Sequence, residues 1–279
     1  MIKGLHGISL NYSNVVTQAR IAHETGYGAL ELLPEHLLRY LEHGGTTSEY
    51  NQITQKNHVK VGCINALQGM GRYQNGEREE MLAEAERLCR IAQELHCPTI
   101  QILALHELDA LPEEQMMDIL VQNVRAIAEL GKRYGGIRFQ IELVAYTKFN
   151  HISQGLEVIK RVGMDNVGLL LDFWHFTVAG IDTPQTVADL DPKMIYGVHF
   201  CDGIRPKNGQ PWDEQVLRNY MVGEGEVDIQ QWTDAIKSTG YNGMWSSELV
   251  SPDNWEKDLK ENAQKCSDIM DQYIGTDWE

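Results

Sequence analysis

Four ionisable residues in this chain each close a short, largely apolar run. Phe139-Gln140-Ile141 leads to Glu142, Gly168–Leu171 to Asp172, Ile195–Val198 to His199, and Met244–Ser247 to Glu248. A run without regular polar alternation suits a strand covered on both faces, as in a parallel sheet flanked by helices. A charged group at the end of such a strand is costly unless it is paired or bound to a metal. Three carboxylates and one imidazole form a mixed oxygen and nitrogen donor set suited to a divalent ion such as Mn2+, Mg2+, Co2+ or Zn2+. Any one of these residues alone reads more readily as a helix cap or an ion-pair partner. On four consecutive strands they read together as a metal cage.

The chemistry such a cage serves is proton transfer beside a carbonyl. Removing the α-proton leaves an enediolate whose oxygens need positive charge, which a divalent cation supplies as a Lewis acid. The proton must leave and return, so two carboxylates flanking the substrate are useful. Glu142 and Glu248, with Asp172 and His199 between them in the strand order, fit that role. His175 follows Asp172 by three residues and can hydrogen-bond a substrate hydroxyl, bind a second metal or orient a neighbouring strand. His6 and His106 close strands one and four and are read as polar lining of the same mouth. Trp174, Trp212 and Trp245 offer apolar faces for a sugar ring, or ordinary barrel packing.

Positioning these residues takes a regular scaffold. Apolar runs expected as strands are Leu5–Leu10, Ala29–Leu33 (with Glu31 inside it), Val59–Ala66, Thr99–Leu105, Ile137–Val144, Asn166–Leu171, Met194–Phe200 and Gly243–Val250. Amphipathic stretches expected as helices separate them: 14–24, 49–57, 77–95, 112–134, 153–162, 184–190, 229–239 and 253–273. Eight strands alternating with helices, with no linker and no low-complexity break, predict an α/β fold. It is a single (β/α)8 TIM barrel spanning residues 1–279. A doubly wound open sheet is the weaker alternative, because no Gly-x-Gly-x-x-Gly follows strand one. In a barrel the carboxyl ends of all strands face one side, which gathers the four residues.

Composition narrows the partners. With 40 Asp and Glu against 24 Lys and Arg the net charge is −16, which argues against nucleic acid. No apolar run approaches the 18 residues of a membrane span, and the N-terminus lacks a signal-peptide core. Cys63, Cys89, Cys97, Cys201 and Cys266 are scattered and contain no Cys-x-x-Cys, as expected of reduced thiols in the cytoplasm.

The segments Phe139–Glu142, Leu170–His175, Val198–Asp202 and Ser246–Leu249 resemble the xylose isomerase-like TIM barrels of sugar isomerases and epimerases. Asn65-Ala66-Leu67 and Gly223-Glu224-Gly225-Glu226-Val227-Asp228 add to the likeness, which is strongest to the inosose isomerase and ketose 3-epimerase branches. The resemblance implies one divalent metal held by Glu142, Asp172, His199 and Glu248, with Glu142 and Glu248 also the acid/base pair. His175 and Arg205 would contact substrate oxygens, the substrate would be a sugar or polyol ketone, and the chain would form a homodimer. Two departures bear on this. Ketose 3-epimerases carry an acid six residues past the strand-five glutamate, where this chain has Lys148; that lysine either contacts a carboxylate or phosphate on the substrate or faces solvent. The hydride-shift isomerases carry Asp-x-Asp after strand seven, whereas Cys201-Asp202-Gly203-Ile204 has one acid, which favours proton transfer. A dehydratase of an inosose or dehydroshikimate-like acid shares the enolate step and is the alternative. A DNA-repair endonuclease lacks its strand-three histidine here, and a non-catalytic barrel stays open.

Overall fold

The computed structural model describes all residues, Met1–Glu279, and shows eight parallel strands closed in sequence order, β1 pairing β8. The strands are β1 Ile2–His6, β2 Ala29–Leu32, β3 Lys60–Gln68, β4 Thr99–Leu103, β5 Arg138–Glu142, β6 Val167–Asp172, β7 Ile195–Phe200 and β8 Met244–Ser247. Helices cover the outside, the longest being Glu77–Glu94, Glu113–Arg133 and Leu259–Ile274. The main core lies between sheet and helices, where Ile100, Ile102, Phe139, Ile141, Leu169, Leu171, Val198, Phe200 and Trp245 point outward. The alternate residues point inward and are mostly small or polar: Glu31, Gln101, Gln140, Glu142, Asp172, His199 and Ser246, all buried. The barrel interior is therefore a hydrogen-bonded polar column, with Gln140 donating to Gln101 Oε1 at 3.2 Å and Gln101 donating to Glu142 at 2.8 Å.

Several boundaries differ from the sequence expectation for local reasons. Strand one stops at His6, because its Nδ1 accepts the Ile8 amide and turns Gly7–Leu10 into a 3-10 helix. A helix at Pro34–Glu42 was not foreseen; it starts with proline in its first turn, where a missing N–H does no harm. Another, Phe173–Ala179, is capped by Asp172 and ends on Gly180 in the left-handed region at φ 66°. The closing helix is split into Pro252–Trp255 and Leu259–Ile274, since Asp258 caps a new start through the amides of Lys260 and Glu261. Strand eight ends at Ser247, beyond which the Leu249 amide turns to Ser9 Oγ.

Register fixes which side chains meet. Asp172 lies opposite His199, His199 opposite Ser246, His6 opposite Glu31, and Leu103 opposite Glu142. One layer near the carboxyl end of the barrel thus holds the metal-ligand types from neighbouring strands.

Candidate metal centre

His199 is the hub, with a ring that is fully buried. Its Nε2 faces Glu31 Oε1 at 3.1 Å. Its Nδ1 faces Glu142 Oε1 and Asp172 Oδ2, each at 3.5 Å, and Glu248 Oε2 at 3.2 Å. No hydrogen bond satisfies that Nδ1. Burial alone would push the imidazolium toward neutrality, yet Glu248, Glu31, Asp172 and Glu142 together hold its pKa well above the ordinary range. Carboxylates converging on one ring nitrogen require a positive centre there. A tetrahedral ion with ligand bonds of about 2.1 Å has ligand-to-ligand edges of roughly 3.4 Å. The three edges that run from His199 Nδ1, 3.2–3.5 Å long, match that spacing, and the oxygen and nitrogen donors are of the types a small divalent ion takes.

Glu31 prepares the ring for this. It accepts from His199, from Ser246 Oγ and from Asn65 Nδ2 at 3.1 Å. Burial pushes its carboxyl up, but His199 and His6 prevail and bring it down to about 2. With Nε2–H donating to Glu31, Nδ1 is the nitrogen turned to the other carboxylates, where a metal would replace its proton on a ring oriented from behind.

The two glutamates sit in different fields. Glu142 Oε2 is held by Gln101, and burial raises its pKa despite His199 and His175. Glu248 and Asp172 are also pushed up by burial, but the Arg218 guanidinium brings both well down. Arg218 is itself buried, and its Nη2 contacts Asp172 Oδ2 at 3.1 Å as well as Glu248 Oε2. It lies over the Trp174 ring, is held by Glu214 at 3.2 Å, and leaves its Nε unpartnered.

The structure brings Glu142, Asp172, His199, Glu248, His175 and His6 together. His175 Nδ1 accepts from the Ala145 amide at 3.2 Å, which turns Nε2 toward Glu142 Oε1 at 3.8 Å. His6 Nε2 lies 3.7 Å from Glu248 Oε1 and 2.8 Å from Asn65 Nδ2. Arg205 and Lys148 are not brought to the cluster. Arg205 is exposed, its guanidinium beside Gly180 and its amide tied to Glu226. Lys148 Nζ donates to the Leu111 carbonyl and its amide to Asp109, which fastens the loop after β5 to the loop after β4. His106 is exposed and pairs with Asp109. Trp174 and Trp212 stand near Tyr146 and His175, whereas Trp245 is buried among Phe173 and Tyr241.

Sequence reasoning missed Arg218 and Glu31 as members of the site. The Gly223-x-Gly225 turn that follows Arg218 wraps Asp202, whose carboxylate accepts from the amides of Gly203, Gly223, Gly225 and Val227. A side chain at Gly225 would run into Asp202 Oδ1, so the turn requires this glycine. Glu31 carried the usable signal: a lone acid in an apolar strand.

The profile of the xylose isomerase-like TIM barrel family matches residues 19–269. An inosose isomerase of Halalkalibacterium halodurans is 25% identical over 276 residues, covering 95% of this chain and 93% of the relative. A 3-dehydroshikimate dehydratase of Pseudomonas putida is 24% identical over 241 residues, covering 85% of this chain and 36% of the relative. Among solved structures, that of the IolI protein with a zinc atom superposes with a TM-score of 0.90 at 21% identity, covering 98% of each chain.

Proposed function

The chain belongs to the xylose isomerase-like TIM barrel family, and we propose that within it the protein is a divalent-metal-dependent isomerase or epimerase of a sugar or polyol ketone. The inosose isomerase relative, which matches over nearly its whole length, supports an inosose- or ketose-type substrate. The observation that carries the reading is the unpartnered His199 Nδ1 ringed by Glu142, Asp172 and Glu248. Those four side chains would hold the ion, and the zinc atom named with the IolI structure supports a divalent metal there. When bound, the ion supplies Lewis-acid charge at a carbonyl and its neighbouring oxygen.

The chain's own residues do the rest. Glu142 and Glu248 flank His199 from β5 and from the end of β8, so one takes the α-proton and the other returns it, through an enediolate. Gln101 fixes the rotamer of Glu142, and Arg218 fixes that of Glu248. His175 Nε2–H and the Arg218 guanidinium are the donors nearest the cage, and they orient substrate oxygens. The role expected of Arg205 thus passes to Arg218, thirteen residues later. Trp174 and Trp212 close the side of the mouth and exclude water. The substrate is a small polyhydroxy ketone, the compartment the cytoplasm and the assembly a homodimer. No helix is long and apolar enough to cross a membrane.

A dehydratase is the second reading, favoured by the likeness to 3-dehydroshikimate dehydratase. It uses the same proton abstraction and differs in losing the β-hydroxyl. The test is metal analysis followed by incubation with inososes and ketoses in deuterated water. The isomerase reading expects one equivalent of metal and deuterium beside the carbonyl without dehydration. It also expects both to be lost in Glu142→Gln/Glu248→Gln. Release of water with formation of an enone selects the lyase. Protein that binds no ion on titration with Mn2+, Co2+ or Zn2+ and exchanges no deuterium sinks both.

A further inference from the structure

A cavity of about 750 Å3 lies at the opposite end of the barrel from the metal centre. Every strand except β6 contributes to it near its amino end, so it is the lower mouth of the barrel itself, extended sideways under the helix Thr47–Lys56. Ala29, Gly62 and Thr99 line it from β2, β3 and β4, and the Met244 side chain of β8 fills the space beside Gly62. Nine of its 20 lining residues are hydrophobic, Val61, Tyr241 and Met244 among them. Its inner end reaches Gln140, a buried amide whose Oε1 has no hydrogen-bond partner.

The charge of this mouth runs against that of the protein. Asp and Glu make up 40 of the chain's 279 residues, yet none of the 20 residues lining the cavity is acidic. Lys60 and Arg138 line it and are exposed. Arg138 is held over the Tyr196 ring at 4.9 Å and donates to Thr99 Oγ1 at 3.3 Å, with no carboxylate partner. A cavity within the usual range for small ligands, apolar inside and cationic at the rim, selects an amphiphile with a negative head. We propose that the lower mouth binds an amphipathic organic monoanion. Its carboxylate or sulfonate lies against Arg138 and Lys60, and its hydrocarbon or aromatic body lies inside. This site shares no residue with the metal centre and does not depend on the reading given for it.

The probe is 8-anilinonaphthalene-1-sulfonate, titrated into the full chain. Saturable one-to-one binding with blue-shifted emission is expected, weakened at least tenfold in Lys60→Glu/Arg138→Glu and less in Lys60→Gln/Arg138→Gln. Both positions are exposed, so the variants keep the fold, which near-ultraviolet circular dichroism checks. Decanoate should displace the dye, and decanol should not. The Glu142→Gln/Glu248→Gln variant should bind the dye as wild type does. The proposal is overturned by absent or non-saturable binding, by equal affinity in the charge variants, by displacement with decanol as good as with decanoate, or by dye binding that is lost with the metal ligands.

Discussion

Removing Glu31 should loosen the grip on the metal without touching any ligand. Glu31 Oε1 accepts from His199 and from Asn65, and Oε2 accepts from Ser246. Glutamine can keep its oxygen at the Oε1 position and turn its amide toward Ser246, whose hydroxyl rotates to accept. The geometry survives and only the charge is lost. Alanine removes the acceptor altogether, so His199 is free to rotate and to carry its proton on Nδ1, where it competes with the ion. Carboxylates that orient a metal-bound histidine are worth about 10- to 100-fold in metal affinity. Glu31→Gln should therefore lie near the tenfold end, about 1.4 kcal/mol, and Glu31→Ala near the hundredfold end. The assay is competition for Mn2+ or Zn2+ against a fluorescent chelator at pH 7, with Glu142→Gln alongside. If both Glu31 variants bind the ion as tightly as wild type while Glu142→Gln loses it, Glu31 is packing and His199 needs no support from behind.

Four further outcomes follow from the structure. Lys148→Met should cost about 1 kcal/mol of stability through the lost loop fastening, with turnover within a few-fold of wild type. Arg218→Met should lower turnover at least about a hundredfold, since it removes the cation beside two of the ligands. Steady-state kinetics on the substrate found by deuterium exchange compares the two, and the reverse order would restore Lys148 to the site. All five cysteines are buried, and burial pushes the thiols of Cys89, Cys97 and Cys266 up to about 12. Iodoacetamide at pH 8 should then label none in the native protein and five after denaturation, as read by mass spectrometry. Chelation should lower the melting temperature and readdition of the ion should restore it. At a free ion concentration of about 100 times Kd the ion adds about 2.7 kcal/mol, whereas an unchanged melting temperature would argue that no ion is held by the folded state.

The barrel was legible because its repeating unit is. Each apolar run is bounded by turn chemistry and followed by an amphipathic helix, and the strands lie too far apart in sequence to be hairpins. The errors fell where side chains redirect the backbone. His6 ends β1 by accepting the Ile8 amide, Asp172 starts a helix while also facing His199, and Asp258 breaks the closing helix. Each contact depends on a rotamer and on neighbours from other strands, which periodicity does not carry.

The site divides along the same line. The convergence of Glu142, Asp172, His199 and Glu248 was legible because each ends its own run, a signal local to one strand. Arg218 had no local signal of that kind. It lies in the long connection Cys201–Glu226, where the chain's path decides which arginine reaches inward. The family resemblance pointed to Arg205, yet the segment carrying it stays outside. Asp202 gathers the amides of Gly203, Gly223, Gly225 and Val227, and so closes the two ends of the connection on each other. Such a closed loop tolerates inserted length with little entropic penalty. The distance along the chain from strand end to arginine is then free to change, while the distance from arginine to the glycine turn is constrained. Counting back from Gly223 to Arg218 is the measure this fold preserves physically, and counting forward from His199 is not.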